Sequence, residues 1–113
     1  MVNWNSLTQQ NQIQDIISES KETPVIIFKH STSCSISATA KNRLERQWAD
    51  AGLKGVKTYF LDLLAYRPIS NLVAQTFDVE HQSPQLLLIR DGVCQYDASH
   101  LGINLNEVKK NIA

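Results

Sequence analysis

The residues with the most evident chemistry are Cys34 and Ser37, within His30-Ser31-Thr32-Ser33-Cys34-Ser35-Ile36-Ser37. A cysteine reacts as its thiolate, so its reactivity depends on what surrounds the sulfur. Upstream, Val25-Ile26-Ile27-Phe28 is an apolar, β-branched and aromatic run, the signature of a buried strand. Downstream, Ile36, Ala40, Leu44 and Trp48 recur at a spacing of four and mark one face of a helix. Cys34 is therefore expected at a strand-to-helix junction, on the helix N-terminus. Unpaired backbone N–H groups and the helix dipole favour negative charge there. The dipole contributes about 1 kcal/mol, or about 2 kcal/mol in a partly buried site. That is enough to leave the thiol appreciably ionised near neutral pH. The neighbours Ser31, Thr32, Ser33, Ser35 and Ser37 are polar company for a packed apolar residue, which argues for the reactive reading.

Ser37 follows Cys34 by three residues, on the same helical face. A cysteine there would complete the dithiol motif Cys-x-x-Cys. Serine keeps the size and the hydrogen-bond donor but cannot form a disulfide. A mixed disulfide on Cys34 would then be discharged by a thiol from solution or from another protein. The pair predicts one-cysteine exchange.

The elements that must hold this stretch are few. The chain has 113 residues, enough for one domain spanning 1–113 with a single core. Hydrophobic residues make up 42%, as in ordinary globular proteins. Eleven basic and eleven acidic residues cancel, which gives no reason to expect nucleic acid or an anionic membrane as partner. No apolar run reaches the length of a membrane span, and Met1-Val2-Asn3-Trp4-Asn5 lacks the pattern of a signal peptide. Two cysteines 60 residues apart are a poor disulfide framework. A cytoplasmic setting, where an isolated thiol survives, is expected.

In chain order, residues 4–20 read as a first helix through Leu7, Ile13, Ile16 and Ile17, with Ser6 and Gln9 as a capping box that would start it slightly later. The strand at 25–28 and the Cys34 helix follow. Gly52 and Gly55 end that helix, and Val56 to Asp62 reads as a second strand, closing a right-handed βαβ unit. Pro68 opens the next helix, with Ile69, Leu72, Val73, Thr76 and Phe77 as its apolar stripe. Pro84 precedes the run Leu86-Leu87-Leu88-Ile89, and Asp91-Gly92 signals a hairpin. In the returning strand strict alternation puts Cys94, Tyr96 and Ala98 on one face and Gln95 and Asp97 on the other. Asn104 and Glu107 cap a last helix lined by Leu105, Val108 and Ile112.

The order is one helix followed by β-α-β-α-β-β-α. This is an α/β fold: a thioredoxin-like three-layer αβα sandwich on a mixed four-stranded sheet, with an extra N-terminal helix. In open α/β sheets the site lies at the C-terminal ends of the parallel strands. That pole collects residues 62–67 and Ser99, His100 and Gly102. Arg67 and His100 are candidates to hold an anionic group of a small thiol, or else solvated surface residues. His30 and Lys29, just upstream, are candidates to stabilise the thiolate or structural residues. Cys94 lies just past the hairpin turn, which strand rise places roughly 20 Å from the site. A disulfide to Cys34 would need Cα atoms within about 7 Å, so Cys94 reads as packing.

The segment Lys29 to Ser37, with Gln82-Ser83-Pro84-Gln85 and Arg90-Asp91-Gly92, resembles the YtxJ-type monothiol bacilliredoxins, over most of the chain. The family motif is Thr-Cys-Pro-Ile-Ser. Here Ser33 replaces threonine and Ser35 replaces proline, while Cys34, Ile36 and Ser37 match. The resemblance implies Cys34 as nucleophile, Ser37 in the resolving position, and Ser33, Ser35, Ile36, Ser83 and Pro84 around the substrate. It also implies a cis Ser83–Pro84 bond facing the cysteine. The implied reaction removes bacillithiol, a cysteinyl-glucosaminyl-malate thiol, from S-bacillithiolated client proteins. Bacillithiol is then a co-substrate, with a further low-molecular-weight thiol to discharge Cys34, and no resident cofactor or metal is implied. The malate carboxylate is the anion that Arg67 or His100 would meet. Glutaredoxins carry a lysine where this chain has Ser31, and the Trp-Cys-Gly-Pro-Cys motif of thioredoxin is absent, so glutathione chemistry and broad disulfide reduction fit less well. A protein-docking module without turnover and an iron–sulfur scaffold bridging two chains are the other readings.

Overall fold

The computed structural model describes residues 4–31, 35–51 and 55–112, with side chains for all of these except 35–37, 49–51 and 101. The chain starts with strand β1 (Asn5–Ser6) and helix α1 (Asn11–Glu19), then β2 (Val25–His30) and α2 (Ser35–Ala51). Strand β3 (Lys57–Asp62), helix α3 (Arg67–Phe77), the hairpin β4 (Gln85–Arg90) and β5 (Val93–Ser99), a 3₁₀ turn (His100–Gly102) and helix α4 (Leu105–Ile112) complete it.

The strands form one sheet in the order β1-β3-β2-β4-β5. β2 and β3 are parallel, as the intervening helix requires, and β4 and β5 are antiparallel additions. β2 and β4, the two apolar runs, are central and almost wholly buried. Alternation along them feeds two cores. Val25, Ile27, Leu87 and Ile89 pack with Ile13 and Ile16 of α1 and Ile69, Val73 and Phe77 of α3. Ile26, Phe28, Leu86 and Leu88 pack with Leu44 of α2 and Leu105 and Val108 of α4. Three layers, αβα, result.

The sheet has five strands rather than the expected four. The reason lies in residues 4–10, where the expected helix from residue 4 gives way to an edge strand. Leu7 N–H donates to Phe60 O at 2.8 Å, continuing the parallel ladder on β3. Gln12 closes the turn into α1: its Oε1 accepts from Thr8 and Gln9 N–H at 2.8 and 2.9 Å, and its Nε2 donates to Ser6 O at 3.0 Å. The helix itself starts after Gln10 with no side-chain cap, so the expected Ser6–Gln9 box does not form, and Gln12 instead ties down the segment that leads in. Strand geometry sends Trp4 to one face, stacked on Phe28 at 5.8 Å, and Leu7 to the other.

The second difference is in β5. Leu88 pairs with Tyr96 but Ile89 pairs with Cys94, so a bulge at Gln95 breaks the alternation. Cys94 therefore packs on the α1/α3 core while Tyr96 and Ala98 pack on the α2/α4 core, not all three on one face as alternation alone predicts. The hairpin turn itself is as expected: Asp91 and Gly92 both have positive φ, 52° and 76°.

Candidate functional site

The site is assembled where β2 ends, α2 begins, and β4 starts. β2 runs through Lys29 to His30, and the helix is already formed at Ser35. The strand-to-helix junction is therefore present, but Ser33 and Cys34 lie outside the described residues. Ser35, Ile36 and Ser37 form the first turn of α2, and their side chains lie outside the description.

The Pro84 side of the site is fully described. The Ser83–Pro84 bond is cis, as the resemblance implies. Pro84 is buried, and its carbonyl accepts from the His100 backbone N–H at 2.9 Å. Ser83 Oγ is buried without a hydrogen-bond partner. Gln85, the first residue of β4, pairs with Lys29 across the sheet. Pro84, Ser83 and His100 are thus brought together, with His100 tied in by its main chain while its side chain is exposed. Arg67 is the first residue of α3 and is exposed at the same pole. Its charge is felt by His81.

His30 and Lys29 point to opposite faces. The His30 ring is buried in an aromatic stack, 6.1 Å from Phe28 and 5.4 Å from Phe60. Lys29 is fully buried under α3, with Nζ 3.2 Å from Ser70 O and 3.3 Å from His81 Nδ1. Burial lowers its pKa to about 8. Burial, followed by the charges of Lys29 and Arg67, holds His81 below its ordinary value. Sequence reasoning missed this cluster. The available signal was a lysine in the third place of the apolar row Val25, Ile27, Lys29.

At the end of β3, Asp62 lines an open cleft of about 220 Å³ with Ser6, Leu7, Thr8, Phe60 and Tyr66, and its Oδ1 is buried without a partner. Cys94 is placed away from all of these. Its Sγ donates to Tyr96 O at 3.3 Å, and burial with the nearby Asp97 pushes the thiol up to about 11.

A mixed sheet between paired helices, with a proline loop opening the strand beside the first βα junction, defines the thioredoxin class. Solved structures bear this out. The chain is similar to a proposed oxidoreductase with a thioredoxin fold, at 26% identity and a TM-score of 0.79, covering 94% of this chain and 90% of that one. It is similar in fold to thioredoxin from Trypanosoma brucei brucei, at 15% identity and a TM-score of 0.73, covering 96% and 87%. Mitochondrial thioredoxin 3 from Saccharomyces cerevisiae gives 18% identity and a TM-score of 0.69, covering 96% and 92%. Residues 5–108 match the family model described as monothiol bacilliredoxin BrxC. The chain belongs to the monothiol bacilliredoxin family, and so to the thiol–disulfide oxidoreductases. None of its described helices is long and apolar enough to cross a membrane.

Proposed function

We propose that this chain removes bacillithiol from protein mixed disulfides, with Cys34 as the nucleophile. The carrying observation is the family match over residues 5–108. The Cys34 thiolate attacks the bacillithiol sulfur of the client's mixed disulfide. The client's sulfur leaves as thiolate and takes a proton from solvent, and Cys34 now carries bacillithiol. An external thiol then attacks that disulfide, takes the bacillithiol, and returns Cys34 as thiolate. Ser37 stands in the resolving position and cannot perform this second step. Ser33, Ser35, Ile36, Ser83 and Pro84 surround the disulfide, and Arg67 and His100 meet the malate carboxylate. The cytoplasm suits such a thiol.

The test is the intact mass after incubation with oxidised bacillithiol and, in parallel, with oxidised glutathione. Cys34→Ser and Cys94→Ser variants run alongside. The expected result is one bacillithiol adduct on Cys34, formed at least about tenfold faster than the glutathione adduct. Adducts without preference, or labelling chiefly at Cys94, would overturn the reading and favour a docking module.

A further inference from the structure

The Lys29 cluster does more than fill space. An apolar side chain in this row would pack at lower cost, since a buried ammonium loses its hydration. Stability alone therefore gives no reason for an amine here. What the amine holds is the chain leading to Pro84. Lys29 Nζ reaches His81 Nδ1 at 3.3 Å and Ser70 O at 3.2 Å, and Ser70 Oγ lies 3.3 Å from the same ring nitrogen. Gln85, opposite Lys29 on β4, donates through Nε2 to Glu80 O at 2.9 Å. Residues 80 and 81 are thus gripped from beneath by side chains of two neighbouring strands. The far end of the same segment is tied by His100 N–H on Pro84 O.

The chemistry of the grip fixes a proton. An ammonium donates and cannot accept. His81 Nδ1 must offer a lone pair, so the ring is neutral with its proton on Nε2. The groups around the pair are consistent with this. α3 contributes Arg67, the segment after it contributes Glu80 and His81, and β3 and β4 contribute the uncharged Leu61 and Gln85. The lowered pKa of His81 keeps the ring neutral, and Lys29, at about 8, stays largely charged at neutral pH.

We propose that Lys29 is a positioning residue for thiol exchange: its ammonium, acting through His81, fixes the Glu80–Pro84 segment that receives the disulfide substrate. The proposal rests on the exchange activity argued above.

The test combines ring ¹⁵N NMR of His81 between pH 6 and 9.5 with steady-state reduction of a bacillithiolated protein at pH 7.5. In the wild type the ring should carry its proton on Nε2, and its shifts should inflect near pH 8 as Lys29 titrates. Lys29→Met should abolish that inflection and raise KM about tenfold with kcat within twofold. The alkylation rate of Cys34 should stay within twofold, which separates a loss of positioning from a loss of nucleophile. His81→Leu should reproduce the KM effect while leaving Lys29 in place, and His81→Gln, which keeps an acceptor, should restore most of it. A wild type without the inflection, or an unchanged KM in both Lys29→Met and His81→Leu, overturns the proposal alone. A wild type that turns over no mixed disulfide overturns the functional reading and takes the proposal with it.

Discussion

Cys94 Sγ donates to a backbone carbonyl two residues on, and its surroundings hold it as a thiol. At about 11, its pKa leaves on the order of one thiolate in a thousand at pH 8. Iodoacetamide at pH 8 should therefore label Cys94 of the folded protein at least about a hundredfold more slowly than that of the protein unfolded in urea, read by peptide mass. Lys29 is displaced the other way, and its effect on stability has a definite sign. Its folded pKa, about 8, lies below the ordinary 10.5. Between these values the unfolded chain binds more protons, so stability rises with pH across the window. The gain from pH 7.5 to 9.5 is about 2 kcal/mol. Urea titrations of wild type and Lys29→Met should differ by that slope, and the difference removes the opposing contributions of Cys94 and Tyr59, whose pKa values are raised.

At the level of elements, much was written plainly in the sequence. The apolar runs at 25–28 and 86–89 became the two central strands, and α3 took its stripe from Ile69, Val73 and Phe77. Asn104 caps α4, its Oδ1 accepting from Asn106 N–H at 2.8 Å. What escaped sequence reading depends on partners far along the chain. β1 exists because Phe60 O is available to Leu7 N–H, and α1 is shortened because Gln12 folds back on residues 6–9. The bulge at Gln95 reverses which core Cys94 joins, and no local pattern announces it. Lys29 looked like a candidate for the thiolate because sequence gives position along a strand, whereas its contacts with Ser70 and His81 come from tertiary packing. Glycine positions give a test at this scale. Gly92 has φ +76°, whereas Gly102 has no positive φ and open space around it. Gly92→Ala should cost about 1–2 kcal/mol in urea unfolding, because an L side chain resists that backbone region. Gly102→Ala should cost less than about 0.5 kcal/mol.

For the molecule as a whole, the placement of Cys94 bears on how the proposed exchange at Cys34 would end. Ser35, the residue after Cys34 in sequence, begins α2 at the pole that also carries Pro84 and the start of β4. Cys94 pairs with Ile89, four residues along β4 from Gln85, which is about 13 Å of strand away from that pole. It also sits across a sheet whose central strands are buried, and its thiol is pushed up, not activated. A disulfide requires Cα atoms within about 7 Å, so Cys94 is expected to leave a mixed disulfide on Cys34 untouched. Charging the protein with one equivalent of oxidised bacillithiol, removing small thiols by gel filtration and following intact mass should show one adduct per chain persisting for hours. Added bacillithiol should discharge it within minutes, and Cys94→Ala should change neither phase by more than about twofold. Spontaneous loss of the adduct with formation of an internal disulfide would instead mean that the sheet opens on the timescale of the reaction. The one-cysteine cycle would then not describe how this fold works.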